Sequence, residues 1–167
     1  MDPDMLRLES TKNYRTLDSI LSTKSRQFSQ DTTYLLKVAQ VNLILSDIEQ
    51  AKKAYEKVLT LAPTSVDANL FMGNYLFSIG FQKSAKVHPL PKTAGNRLLK
   101  HRVEQNINLI NEILNNYYHP ASLFLKAGMR ENRNQYLQDT FDHINVMEKQ
   151  LIEMELVLSK ILKKKKI

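Results

Sequence analysis

The stretch LLKVAQVNLILSDIEQAKKAYEKVLTLAPTSVDANLFMGNYLFSIG, Leu35 to Gly80, decides the fold. It reads as one helix-turn-helix unit and the start of a second. Shifting by 34 residues carries Val38-Ala39 onto Met72-Gly73 and Ala51 onto Ala85. Each small residue has a physical task. Ala39 and Gly73 let a neighbouring helix approach closely, Ala51 fits where two antiparallel helices cross, and Tyr55 fills the space between them. Pro63 ends the second helix, because it lacks the N–H needed to continue and biases Ala62 away from helical angles. Thr64-Ser65 then supply a cap for the next helix.

The spacing Leu35-x2-Val38-Ala39-x2-Asn42, Ala51-x3-Tyr55, Pro63 resembles the tetratricopeptide pattern W-x2-L-G-x2-Y, A-x3-F, P. Leu35 stands for the tryptophan and Asn42 for the tyrosine. The second unit departs after Ala85, with Pro89 where an aromatic belongs, so the resemblance covers residues 32–85. The segment Phe71-Met72-Gly73-Asn74-Tyr75-Leu76-Phe77 is similar to small tetratricopeptide proteins of Bacteroidetes bacteria. An ordinary helical hairpin within a bundle is the competing reading, since these are core positions in any hairpin.

The resemblance implies an α-α superhelix and a groove that holds an extended peptide or a helix. Its groove positions fall on Thr33, Leu36, Gln40, Leu43 and Ile44, then on Asp67, Leu70, Asn74, Phe77 and Ser78. The family's clamp for chaperone carboxylate tails needs lysine where this chain has Leu36 and asparagine where it has Gln40, which speaks against that clamp. Two incomplete repeats also need another element to bury their stripe. The protein's own carboxy-terminal helix is the expected cover, and a hydrophobic ligand is the alternative.

Outward from this stretch, Tyr14, Leu17, Ile20 and Leu21 share one helical face, which suggests a truncated capping helix over residues 11–23. Asp31 or Thr32 caps the helix carrying Leu35, and Asp47 starts its partner, which runs to Leu61. The next helix, Ser65 to Ile79, is expected to end at Gly80. Pro89, Pro91 and Gly95 then mark a loop over residues 86–95. From Asn96 to Tyr117, Leu99, Val103, Ile107, Ile110 and Leu114 return to helical spacing, and Asn115-Asn116 with His119-Pro120 are expected to stop it. A short helix, Ala121 to Ala127, follows. The longest helix begins near Asn132 and carries Leu137, Thr140, Ile144, Met147, Leu151, Met154, Leu158 and Ile161 at 3-4 spacing. That stripe packs within its own chain, forms a dimeric coiled coil or is the docking site of a missing partner. The chain is therefore expected to be all-α, one domain over 1–167 with a tetratricopeptide-like part at 1–85 and helices at 96–167, and a monomer or homodimer.

Composition narrows the function. With no cysteine there is no disulfide, thiolate metal site or thiol nucleophile. The acidic start Met1-Asp2-Pro3-Asp4 lacks the features of a secretory signal, and no run reaches membrane-spanning length, so a cytoplasmic protein is expected. Phosphate-loop, dinucleotide, zinc-protease and nucleophile-elbow motifs are absent; Lys92-Thr93-Ala94-Gly95 lacks the glycine-rich lead. His88, His101, His119 and His143 are too far apart in sequence for a local helical metal pair, and each reads as a surface or helix-end residue. No catalysis, cofactor or metal is expected.

The net charge of +7 is lopsided. Residues 1–80 hold 9 basic and 9 acidic side chains, whereas 81–167 hold 15 and 8. The excess lies in the acid-free set Lys83, Lys86, Lys92, Arg97, Lys100 and Arg102 and in the run Lys163 to Lys166. Six cations without an acid suit a phosphate-rich partner, but Phe81 is the one ring among them, which is poor for stacking bases. The favoured expectation is thus a non-catalytic protein-protein interaction adaptor or scaffold of bacterial tetratricopeptide type, whose groove includes Leu36, Gln40, Leu43, Leu70, Asn74 and Phe77. The alternative is a nucleic-acid-associated protein using the segment 83–102.

Overall fold

The structure, a computed structural model, describes residues 3–90, 96–128 and 135–163. Lys92 and Lys164 to Lys166 lie outside these. Every regular element among the described residues is helical, as the periodicity requires. They are α1 (Pro3–Ser10), α2 (Tyr14–Lys24), α3 (Thr32–Ile44), α4 (Ile48–Leu61), α5 (Val66–Ser84), α6 (Asn96–Ile113), a π-helical turn (Leu114–Tyr118), α7 (His119–Gly128) and α8 (Gln135–Lys163). Contacts divide the chain into two compact units, Met1–Met72 and Gly73–Ile167, with the boundary inside α5.

In the first unit the helix starts are set by short polar side chains. Asp31 accepts from the backbone N–H of Thr33 at 2.9 Å and of Tyr34 at 3.1 Å. Asp47 accepts from the N–H of Gln50 at 3.1 Å, and both aspartates thereby satisfy donors that a helix leaves unpaired. Ser46, at φ 63°, makes the tight reversal between α3 and α4, where the N–H of Asp47 donates back to Asn42 O at 2.8 Å. The resulting hairpin buries Leu35, Ala39, Ala54, Tyr55, Val58 and Ala68. Ala51 is fully buried, as a close helix crossing demands, and Tyr55 stacks on Phe71 with centroids 4.4 Å apart. After Pro63, Asn69 reaches back with Nδ2 to Pro63 O and Ser65 O, both at 2.8 Å, and holds the turn into α5. On the other side α2 lays Leu17 and Leu21 against Val41, and Lys37 pairs with Glu9 of α1 at 2.7 Å.

In the second unit α8 lies along α6, the π turn and α7. Its stripe works as the spacing predicts: Thr140, Ile144, Met147 and Ile161 are buried, while Leu137, Leu151, Met154 and Leu158 are half-buried. Of these, Ile144, Met147, Leu151 and Met154 meet Ile110, Ile113, Leu114 and Tyr118 in one core. Much of the stripe thus packs against its own chain.

Two expected helix ends are corrected. Gly80 does not terminate its helix; α5 continues to Ser84, and no described glycine has a positive φ. Gly80 is instead a packing position, because an added β-carbon would lie 2.6 Å from Tyr118 Cε1. Gly73, seven residues earlier and so on the same helical face, gives way to Leu125 in the same manner. Nor do Asn115-Asn116 and His119-Pro120 stop α6. The chain makes one π turn and runs directly into α7, with Pro120 its second residue. The wider turn relaxes the hydrogen-bond ladder where proline supplies no N–H.

The segment after α5 is tied down at its near end. Asn106, nearly buried on α6, donates through Nδ2 to His88 O at 2.7 Å and accepts from the His88 N–H at 3.4 Å.

Candidate functional site

Helix α3 presents two open faces separated by half a turn, and each offers something different. The first carries Leu36, Gln40, Leu43 and Ile44. Thr33 and Gln40 are exposed, Leu36 and Leu43 are half-buried against the hairpin core, and Ile44 is 54% exposed. In the same unit α5 adds exposed Asp67 and half-buried Leu70. An apolar strip interrupted by one glutamine amide is a surface that rewards burial while fixing an orientation, since the amide both donates and accepts.

Asn74, Phe77 and Ser78 belong to the second unit. Asn74 and Ser78 are exposed, but Phe77 is enclosed by rings. It stacks on Tyr118 at 5.7 Å and meets the His143 ring edge-on at 5.3 Å. His143 also lies edge-on to Phe81 and Tyr118, and its Nδ1 shares a hydrogen bond of 2.7 Å with Asp139 O. Because a carbonyl only accepts, Nδ1 carries the proton. Burial pushes the Tyr118 phenol above its ordinary range, and the adjacent Ser84 hydroxyl offsets part of this. Ser84 Oγ itself donates to Phe81 O at 2.7 Å, and no hydrogen bond closes on the Tyr118 hydroxyl.

The second open face of α3 was not foreseen. Tyr34, Leu35, Val38 and Asn42 form the floor of a cleft of about 460 Å³ between α2 and α4. Asp18 and Ser22 of α2 stand on one side, with Asp47, Gln50 and Lys57 on the other. The Tyr34 hydroxyl donates to Leu21 O, and its pKa is raised first by burial and then by the charge of Asp18. The sequence did hold a signal. Asn42 is a short residue where the repeat pattern places a ring, and a missing ring on a core face leaves space.

The basic set is partly neutralised. Lys83 pairs with Glu112 at 2.7 Å and lies over the Tyr117 ring at 5.3 Å; the hydrogen bond from its ammonium to Glu112 holds its pKa above the ordinary range. Lys100 pairs with Glu104 one turn on, at 3.4 Å. Lys86 and Arg97 are exposed and Arg102 is half-buried. His88 and His101 are exposed, and His119 stands 4.0 Å from Glu148. No group of three metal-ligating side chains comes together among the described residues.

No protein-family model matches the chain, and none of the curated proteins matches it. Its architecture is similar to that of a crystal structure from Bacteroides ovatus described as a "putative protein binding protein". The two superpose with a TM-score of 0.71 over 88% of this chain and 71% of that one, at 20% sequence identity. At that identity the likeness shows a shared helical fold.

Proposed function

We propose that this chain is a non-catalytic protein-binding module of tetratricopeptide type, an adaptor or scaffold whose recognition face is the Leu36, Gln40, Leu43 and Ile44 side of α3 with Leu70 of α5. The observation that carries this reading is the partly exposed apolar strip itself: Ile44 is 54% exposed and Leu36 and Leu43 half-buried on a helix whose opposite positions build the core. An amphipathic helix or extended peptide laid along the strip would bury Leu36, Leu43 and Ile44, and the Gln40 amide would bond its backbone. Support of a second kind comes from the structural neighbour, which is described as protein binding. We further propose a cytoplasmic bacterial setting. No helix among the described residues is long and apolar enough to cross a membrane.

The nucleic-acid reading ranks lower, because Lys83 and Lys100 already have carboxylate partners whose loss a phosphate would have to offset. The test is peptide selection by display followed by NMR shift mapping of the selected ligands. Perturbations centred on residues 36, 40, 43, 44 and 70 support the proposal. Perturbations confined to the basic segment would overturn it.

A further inference from the structure

On the far side of α3 from Leu36 and Gln40, the cleft floored by Tyr34, Leu35, Val38 and Asn42 has the chemistry of a second binding site. Its volume of about 460 Å³ falls within the ordinary range for ligand pockets. Two side-chain acceptors line it. Asp18 is half-buried and makes no ion pair or hydrogen bond among the described residues. Asn42 is 6% exposed and spends its Nδ2 on Val38 O at 2.9 Å, while its amide oxygen takes no donor among the described residues and is able to accept from a ligand. Asp47 keeps a second carboxylate oxygen beyond the one that caps α4. The Tyr34 hydroxyl is already engaged with Leu21 O, so it supplies no competing donor.

Such a set, acceptors above an apolar wall of Leu21, Leu35 and Val38, matches a group with several N–H donors on an aliphatic stem. We propose that this cleft binds an arginine or lysine side chain presented by a peptide or protein partner, with Asp18 as its counter-ion and the Asn42 amide oxygen as a second acceptor. The stem lies on Leu21 and Val38, and the cationic head meets Asp18. Lys57, on the α4 side, is the one lining cation among the described residues and opposes the ligand's charge. A partner side chain, rather than a small free cation, is favoured by the apolar wall, which a hydrated ion would not use.

The two faces of α3 fail separately, because the variants below leave Leu36 and Gln40 untouched. The experiment is an NMR titration of the full chain with Nα-acetyl-arginine amide, with the neutral isostere Nα-acetyl-citrulline amide and with spermidine. The arginine probe is expected to shift the amides of Ser22, Asn42 and Gln50 in a saturable way, and the citrulline probe to leave them still. Asp18→Asn should weaken arginine binding about tenfold, the worth of one charge-assisted hydrogen bond, with unchanged melting. Lys57→Gln should tighten it, which a merely destabilised variant would not do. No saturable shift at millimolar arginine probe, equal binding of citrulline, or no weakening in a folded Asp18→Asn would overturn the proposal. Tighter binding of spermidine than of the arginine probe would also overturn it, in favour of a free polyamine.

Discussion

A β-carbon placed on Gly80 would lie 2.6 Å from Cε1 of Tyr118, so the aromatic ring occupies the space that any side chain at position 80 needs. Two effects oppose each other there. Alanine in a helix interior is better than glycine by about 1 kcal/mol, whereas overpacking a core costs about 1 to 3 kcal/mol. The Tyr118 ring is fully buried and stacked on Phe77, so it has nowhere to retreat and the clash wins. Gly80→Ala should therefore lower the urea midpoint. Gly73→Ala meets Leu125 Cγ at 2.5 Å and its backbone N at 3.1 Å, and because Leu125 is itself fully buried this variant should lower the midpoint as well. A raised midpoint for Gly80→Ala would remove this account of the Tyr118 contact.

Ala51 is fully buried in the α3 and α4 hairpin, and Ala51→Leu adds three carbons at that crossing. The expected loss is about 1 to 3 kcal/mol, read as a lower thermal midpoint. An unchanged midpoint would mean that the crossing is looser than the burial of Ala39, Ala51 and Ala54 implies.

The elements legible in the sequence were those written in local chemistry. Asp31 and Asp47 cap where their spacing to the apolar face places them, Pro63 follows the end of α4, and the Leu137 to Ile161 stripe faces a core. What escaped depends on distant partners. Gly80 has the same intrinsic freedom in a helix end as in a helix interior, and Tyr118, 38 residues away, decides between them. Asn115-Asn116 and Pro120 weaken an isolated helix, yet burial of Leu114, Tyr118 and Ala121 holds the chain helical through a π turn. Of the candidate site, Leu36, Gln40 and Leu43 share one face as their spacing requires, whereas Phe77 is drawn among rings contributed by α8 and the π turn. The cleft over Asn42 is legible only as a missing ring, since its walls come from three helices.

Burial raises the Tyr118 pKa above the unfolded value of about 10. The folded chain therefore holds its proton to higher pH than the unfolded chain does. Stability from this group is complete below pH about 10 and is lost as pH rises through the folded value. Tyr118→Phe should flatten part of the alkaline fall, with Tyr34 and Tyr55, also raised by burial, retaining the rest. At neutral pH the variant removes a buried hydroxyl without a partner, so it should be neutral or up to about 1 kcal/mol stabilising. Melts from pH 7 to 11 check both arms; a large loss at neutral pH would show that the hydroxyl is satisfied.

For the basic segment, binding to DNA or RNA should be weak, blind to sequence and absent by physiological salt. Fluorescence anisotropy with labelled oligonucleotides measures it. Submicromolar affinity at that salt, lost when Lys92, Arg97, Lys100 and Arg102 become glutamine, would promote the nucleic-acid reading above the protein-binding one.

The most direct measurement is calorimetric titration of a display-selected peptide into the parent chain and into the double variant Leu36→Ala, Gln40→Ala. Gln40 is exposed and Leu36 half-buried against the hairpin core, so the variant should melt below the parent but remain folded and cooperative. If this side of α3 is the recognition face, affinity should fall about tenfold or more, the usual effect of losing central contacts in an interface. Affinity within about twofold of the parent, in a variant that is folded at the titration temperature, would contradict the assignment of that face.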